Sequence, residues 1–163
     1  MAAPSKSELE AFNRPLMTRA AVGSLKLPPV ASNLVRVKHP EHGDELNAKA
    51  LCDEIRQALK HQQGTFCFFY DGMGMVNARI GYANVFKELD RELADRVTEV
   101  VCAIPGPIPR MMAYTVATLS RSPWTIFRTL AEAETHLRMR GYIGVDISQP
   151  LEGGVNVRVL RRA

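Results

Sequence analysis

Apolar residues along this chain fall into two alternating arrangements, short unbroken runs and longer stretches with helical spacing. "NLVRVKH" (33–39) reads as a short strand. "TFCFFYD" (65–71) and "VTEVVCAI" (97–104) are β-branched or aromatic without alternation, the pattern of strands buried on both faces. "PWTIF" (123–127) is a fourth strand.

Between these runs the period becomes helical. From Glu45 to Gln62, Leu51, Ile55, Ala58 and Leu59 share one face, while Asp53, Arg56 and Lys60 lie elsewhere. Gly64 supplies a stop. A second helix near Ala78–Arg96 carries Ile80, Ala83, Phe86, Leu89 and Leu93 on its apolar side, and a third runs from Arg110 to about Arg121. Thr129 stands three residues before Glu132, a capping box for a fourth helix ending near Arg140–Gly141. This β-α-β-α-β-α-β-α order predicts an α/β fold: a small parallel or mixed sheet of four to five strands with helices on both faces.

The flanks read differently. Residues 1–32 form an N-terminal arm in which Ser7 and Glu10 have capping-box spacing, Pro15 interrupts, and the Pro28–Pro29 pair favours extended chain. Its Leu9, Phe12, Leu16 and Met17 are apolar enough to dock on the domain 33–141 or on a second copy. In the extension 142–163, "YIGVDI" and "VNVRVL" flank Pro150 and "EGG", which predicts a β-hairpin or two edge strands, suited to subunit contacts.

Composition changes this picture little. The 163 residues are 46% hydrophobic and 23% charged, enough for a real core. The formal charge of +4 is spread over helices that also carry acids, and only "RVLRRA" is locally basic, so nucleic acid is not an expected partner. No segment approaches the length of a membrane span or has a signal-like apolar core, and Cys52, Cys67 and Cys102 each lie within an apolar run. The expectation is a reduced cytoplasmic protein without disulfides.

Candidate chemistry centres on "DGMGM" (71–75), a Gly-x-Gly between strand and helix. A dinucleotide fingerprint needs a third glycine where Asn77 stands, and no ribose-binding acid ends the next strand; Gly72 and Gly74 are better suited to positive φ or a close approach. Asp71 ends its strand at the ligand edge of the sheet, as an acid or ligand or, more simply, as an Asx turn. "HPEHGDE" brings His39, Glu41, His42, Asp44 and Glu45 close together, but Pro40 divides the histidines and no distant His or Cys completes a metal set. No nucleophile elbow occurs, so neither a catalytic constellation nor a cofactor is expected. Met73, Met75, Met111 and Met112 sit on the two loops of one edge, a composition suited to an adaptable protein-binding surface or to filling core gaps.

The segments "FCFFYDGMGMVNARIGYANVFKEL", "VTEVVCAIPGPIPRMM" and "SPWTIFRTLAEAETHL" together resemble a STAS-like domain, the SpoIIAA-like fold of sulfate-transporter and anti-sigma-factor-antagonist proteins, over residues 33–140. The resemblance implies a regulatory or scaffolding role of the bacterial signalling type. It also implies a phosphorylatable serine near Arg79, Ile80 and Gly81, yet no Ser or Thr occurs from Gly72 to Val97. The resulting expectation is a non-enzymatic module that binds a protein partner, or itself as an oligomer, through Met73, Met75, Arg79, Tyr82, Arg110 and Met111. The alternative is a small-molecule or nucleotide sensor in which Asp71, Gly72, Gly74 and Arg110 hold an anionic ligand at the same edge.

Overall fold

The computed structural model describes residues 27–142 and 146–161; the arm's features at Ser7, Glu10 and Pro15 lie outside them. Four parallel strands form the centre: β1 (Asn33–Lys38), β3 (Phe66–Asp71), β5 (Val97–Ala103) and β6 (Trp124–Phe127). A fifth, β7 (Val157–Arg161), runs antiparallel to β1, giving the order β6-β5-β3-β1-β7. Four helices alternate with the strands: α1 (Glu45–Leu59), α2 (Ile80–Leu93), α3 (Pro107–Leu119) and α4 (Leu130–Met139). The chain is thus an α/β protein with a mixed five-stranded sheet.

The topology dictates where the helices go. Each parallel strand is added beside its predecessor in the same direction, and right-handed crossovers then place α1, α2 and α3 on a single face. Their core joins Leu51, Ile55, Phe86 and Leu89 to Val35, Val37, Phe68 and Tyr70. Of the described helices, α4 alone packs on the other face, where Ala133 and Leu137 meet Leu34, Cys67, Phe69 and Val101. After β6 the chain must cross that second face to reach the far edge, and Tyr142 and Ile147 are buried along the way. The end of the arm packs there too: Val30 and Ala31 join this core, and the Ala31 N–H donates to the Tyr142 hydroxyl at 2.9 Å.

Local rules set the boundaries. Asp44 caps α1 by accepting from the Asn47 N–H at 2.8 Å, and Gly64 ends the connection with φ +86°. Thr129 and Glu132 form the expected capping box. α3 starts at Pro107 rather than Arg110, because proline is well accommodated in a first turn. α2 starts at Ile80 rather than Ala78, because Asn77 and Ala78 are used in a two-stranded parallel sheet, β4 (Asn77–Ala78) with β2 (His42–Gly43). In the C-terminal segment, "VNVRVL" supplies the expected edge strand, but not as half of a hairpin. β7 pairs with β1, Val157 opposite Val37, and Asp146–Gln149 adopt no strand, so no hairpin forms among the described residues. Pairing with β1 satisfies that strand's open edge.

Candidate functional site

Loops 39–44, 72–79 and 104–106 leave the carboxyl ends of β1, β3 and β5, and α1, α2 and α3 begin there. In open α/β sheets this edge is where ligands bind. Loop 72–79 is clamped onto its neighbour: the Val76 N–H donates to the Glu41 carbonyl and the Arg79 N–H to that of Gly43, both at 2.8 Å. A Cβ on Gly43 would approach the Ala78 Cα to 3.0 Å, so the two short strands fit only with glycine there.

Most of the groups that the alternative reading of "DGMG" assigns to an anionic ligand make contacts within the protein. Asp71 pairs with Arg36 at 3.5 Å, and its other oxygen accepts from the Met73 N–H at 3.1 Å, the Asx-turn arrangement. The Gly72 N–H is spent on the Ala103 carbonyl at 2.9 Å. Gly72 serves a close approach, since a Cβ would lie 2.8 Å from Ile104 Cγ1. The Arg110 guanidinium turns back to the carbonyls of Ile104 and Pro105, at 3.4 and 3.0 Å. Asp71, Gly72 and Arg110 are therefore already engaged, and Gly74 alone is open, with nothing within 4 Å of a Cβ placed there.

Of the residues expected to face a partner, Met73, Arg79 and Met111 are exposed and Arg110 is half-buried. Met75 and Tyr82 are corrections: both are buried, at 7% and 5% exposure. Ile80, expected on the apolar side of α2, is instead 60% exposed. Two residues apart on a helix places side chains on nearly opposite sides, so Tyr82 inward requires Ile80 outward. The spacing Tyr82, Phe86, Leu89 was the signal that assigns Tyr82 to the core.

Beneath the edge lies a cavity of about 40 Å³, walled by side chains from α2, α3 and the strand ends, with His39 and Tyr82 among them. His39 Nδ1 is 2.5 Å from the Tyr82 hydroxyl, and the imidazole packs against Tyr70 and Phe86 with ring centroids 4.9 and 5.0 Å away. Burial holds its pKa down at about 3, so it is neutral. The paired histidines of "HPEHGDE" have separated: His42 is exposed on β2, and no three His, Cys, Asp or Glu among the described residues converge as a metal site. Burial pushes all three thiols up, Cys52 to about 12, so none is a thiolate at neutral pH.

Around the mouth of the edge stand Leu46, Met73, Val76, Ile80, Ile108 and Met111, each at least 40% exposed. The other large exposed apolar residues of the described chain, Leu27, Leu119, Met139 and Val155, are scattered elsewhere. α2 starts without a side-chain cap or an acid in its first turn, which leaves its first N–H groups facing this surface, whereas Pro107 and Pro109 remove two of the donors at the start of α3. No helix among the described residues is long and apolar enough to cross a membrane. No family model, no curated protein and no solved structure matches the chain.

Proposed function

We propose that this chain is a STAS-like regulatory or scaffolding module that docks a protein partner through the edge formed by loop 72–79 and the starts of α1, α2 and α3. One observation carries the reading: Leu46, Met73, Val76, Ile80, Ile108 and Met111 are all exposed at that one end of the sheet. A contiguous apolar patch is unfavourable in water and marks an interaction surface. The partner is a segment with apolar side chains and at least one acidic group, because exposed Arg79 and the uncapped start of α2 favour negative charge there. Three buried, reduced cysteines suit a cytoplasmic setting.

Ile80→Glu and Met111→Glu place charge on the patch without entering the core. The partner co-purified with the wild-type chain is expected to be lost from both, and kept by Leu119→Glu and Met139→Glu, with all four melting near the wild type. If the wild type self-associates in light scattering and only the edge variants become monomeric, the partner is a second copy. Equal capture by all four variants, with no change of oligomer, rejects the edge as the docking surface.

A further inference from the structure

The basic run at the end of the chain lies beside a buried arginine. β7 pairs with β1 so that Leu160 stands across from Leu34 and Arg158 across from Arg36. Leu34 and Leu160 belong to the core of the second face, so Arg36 and Arg158, two residues along each strand, share that face. Like charges directly opposite on neighbouring strands weaken the pairing. Arg36 is 5% exposed, and a buried cation is costly unless it is paired. Its pairing is thin. Asp71 is 3.5 Å away, the Gln149 carbonyl accepts from one Nη, and Nε is buried without a partner.

These two arginines and Arg161 line a cavity of about 230 Å³ between the sheet and segment 146–151. Among the described residues the one acid in its lining is Asp146, whose Oδ1 accepts from the N–H and the hydroxyl of Ser148 at 2.9 and 2.5 Å. Arg158 and Arg161 are exposed, and neither forms an ion pair among the described residues. Three arginines against one aspartate leave the cavity positive. Pro150, Leu151 and Leu160 add apolar wall.

We infer that this cavity binds a small phosphate monoester. The planar forks of arginine suit phosphate, and the three terminal oxygens of the ester offer an acceptor to each of the three guanidiniums. An anion between Arg36 and Arg158 replaces their repulsion by two attractions. The carbon part of the ester lies on Pro150, Leu151 and Leu160. It is short, because the volume is below the roughly 300–1,000 Å³ of sites for drug-sized ligands. This inference does not rest on the docking reading, since the cavity uses none of the residues of the exposed apolar patch.

The test is a calorimetric titration of the full chain with n-butyl phosphate at constant ionic strength, paired with thermal melts. Saturable binding and a rise in melting point are expected. Arg158→Gln should weaken binding about ten-fold, the equivalent of roughly one charge-assisted hydrogen bond, and adding Arg161→Gln should abolish it. Arg121→Gln, an exposed arginine before the opposite edge strand, should bind as the wild type does. Without ligand, Arg158→Gln should melt at or above the wild type, because the repulsion across the strands is gone. A lower melting point would give Arg158 a purely structural role and overturn its part in the site. The site itself is overturned by the absence of saturable binding at millimolar ester, by unchanged binding in the double variant, or by an equal loss in Arg121→Gln. Equal affinity for succinate overturns the assignment to phosphate.

Discussion

Arg140 Nε lies 3.0 Å from Glu99 Oε2, joining the end of α4 to the middle of β5 where both side chains are less than 10% exposed. Arg140 also donates to the Pro28 carbonyl, so one guanidinium ties helix, sheet and the end of the arm together on the thinly covered face. The remaining Glu99 oxygen, Oε1, is buried without a partner. Such a pair contributes little when intact, but half of it is strongly unfavourable, because the remaining charge is stranded.

Arg140→Met should therefore destabilise by about 3–5 kcal/mol in urea denaturation. Glu99→Leu combined with Arg140→Met removes both charges and should recover a substantial part of that loss. A double variant as unstable as Arg140→Met alone would show that the guanidinium acts through its hold on Pro28 and not through the carboxylate.

His39 predicts a pH dependence of definite sign. Its folded-state pKa is depressed by burial from 6.5 to about 3, so between those values the unfolded chain binds more protons than the folded one. Stability is full above 6.5 and falls as the pH drops through the interval, by up to about 1.4 kcal/mol per pH unit. Half-buried His136, shifted the same way, adds to the fall, whereas Asp90, shifted up by burial, acts in the opposite sense. Both remain in His39→Gln, so the difference between the two stability curves isolates His39. The variant's curve should be flatter below pH 6.5; parallel curves would mean that the folded state accommodates the protonated ring.

Tyr82 and Arg79 separate core from surface on one helix start. Tyr82→Phe leaves His39 Nδ1 without its partner and should cost about 1–3 kcal/mol. Arg79 is exposed and its side chain makes no cap, so Arg79→Ala should stay within about 0.5 kcal/mol of the wild type. Equal effects in thermal melts would contradict the placement of the phenol.

The four parallel strands and four helices were legible because each has its own apolar run or period, and α4 its capping box as well, and these are local properties. What stayed illegible depends on pairing between distant segments. Nothing in "HG" or "NA" announces two-residue strands; they exist because loop 72–79 folds back onto 41–43. "VNVRVL" is strand-like by itself, but its partner could be chosen only once β1 proved to have an open edge. At the site, Asp71, Gly72 and Arg110 have the chemistry of a ligand cradle, and only the fold shows that a neighbouring strand end and a buried arginine occupy them. The cavity draws its walls from five separate elements and linkers, so no stretch of sequence records it.

The two glycines of "DGMG" look alike in sequence and should behave oppositely. At Gly72 an added Cβ meets Ile104 Cγ1 at 2.8 Å and the Ala103 carbonyl oxygen at 3.3 Å. Ile104 is buried and the carbonyl belongs to the end of β5, so neither yields freely, and Gly72→Ala should cost about 1–3 kcal/mol by overpacking. At Gly74 a Cβ meets nothing within 4 Å, and its φ is not among the positive values. Gly74→Ala should then be neutral or stabilising by up to about 1 kcal/mol, because alanine restricts the unfolded chain. Chemical denaturation of the two variants side by side decides the matter. If both destabilise equally, the loop needs glycine at Gly74 for a reason other than space, and the docking edge would have to accommodate a partner's backbone there.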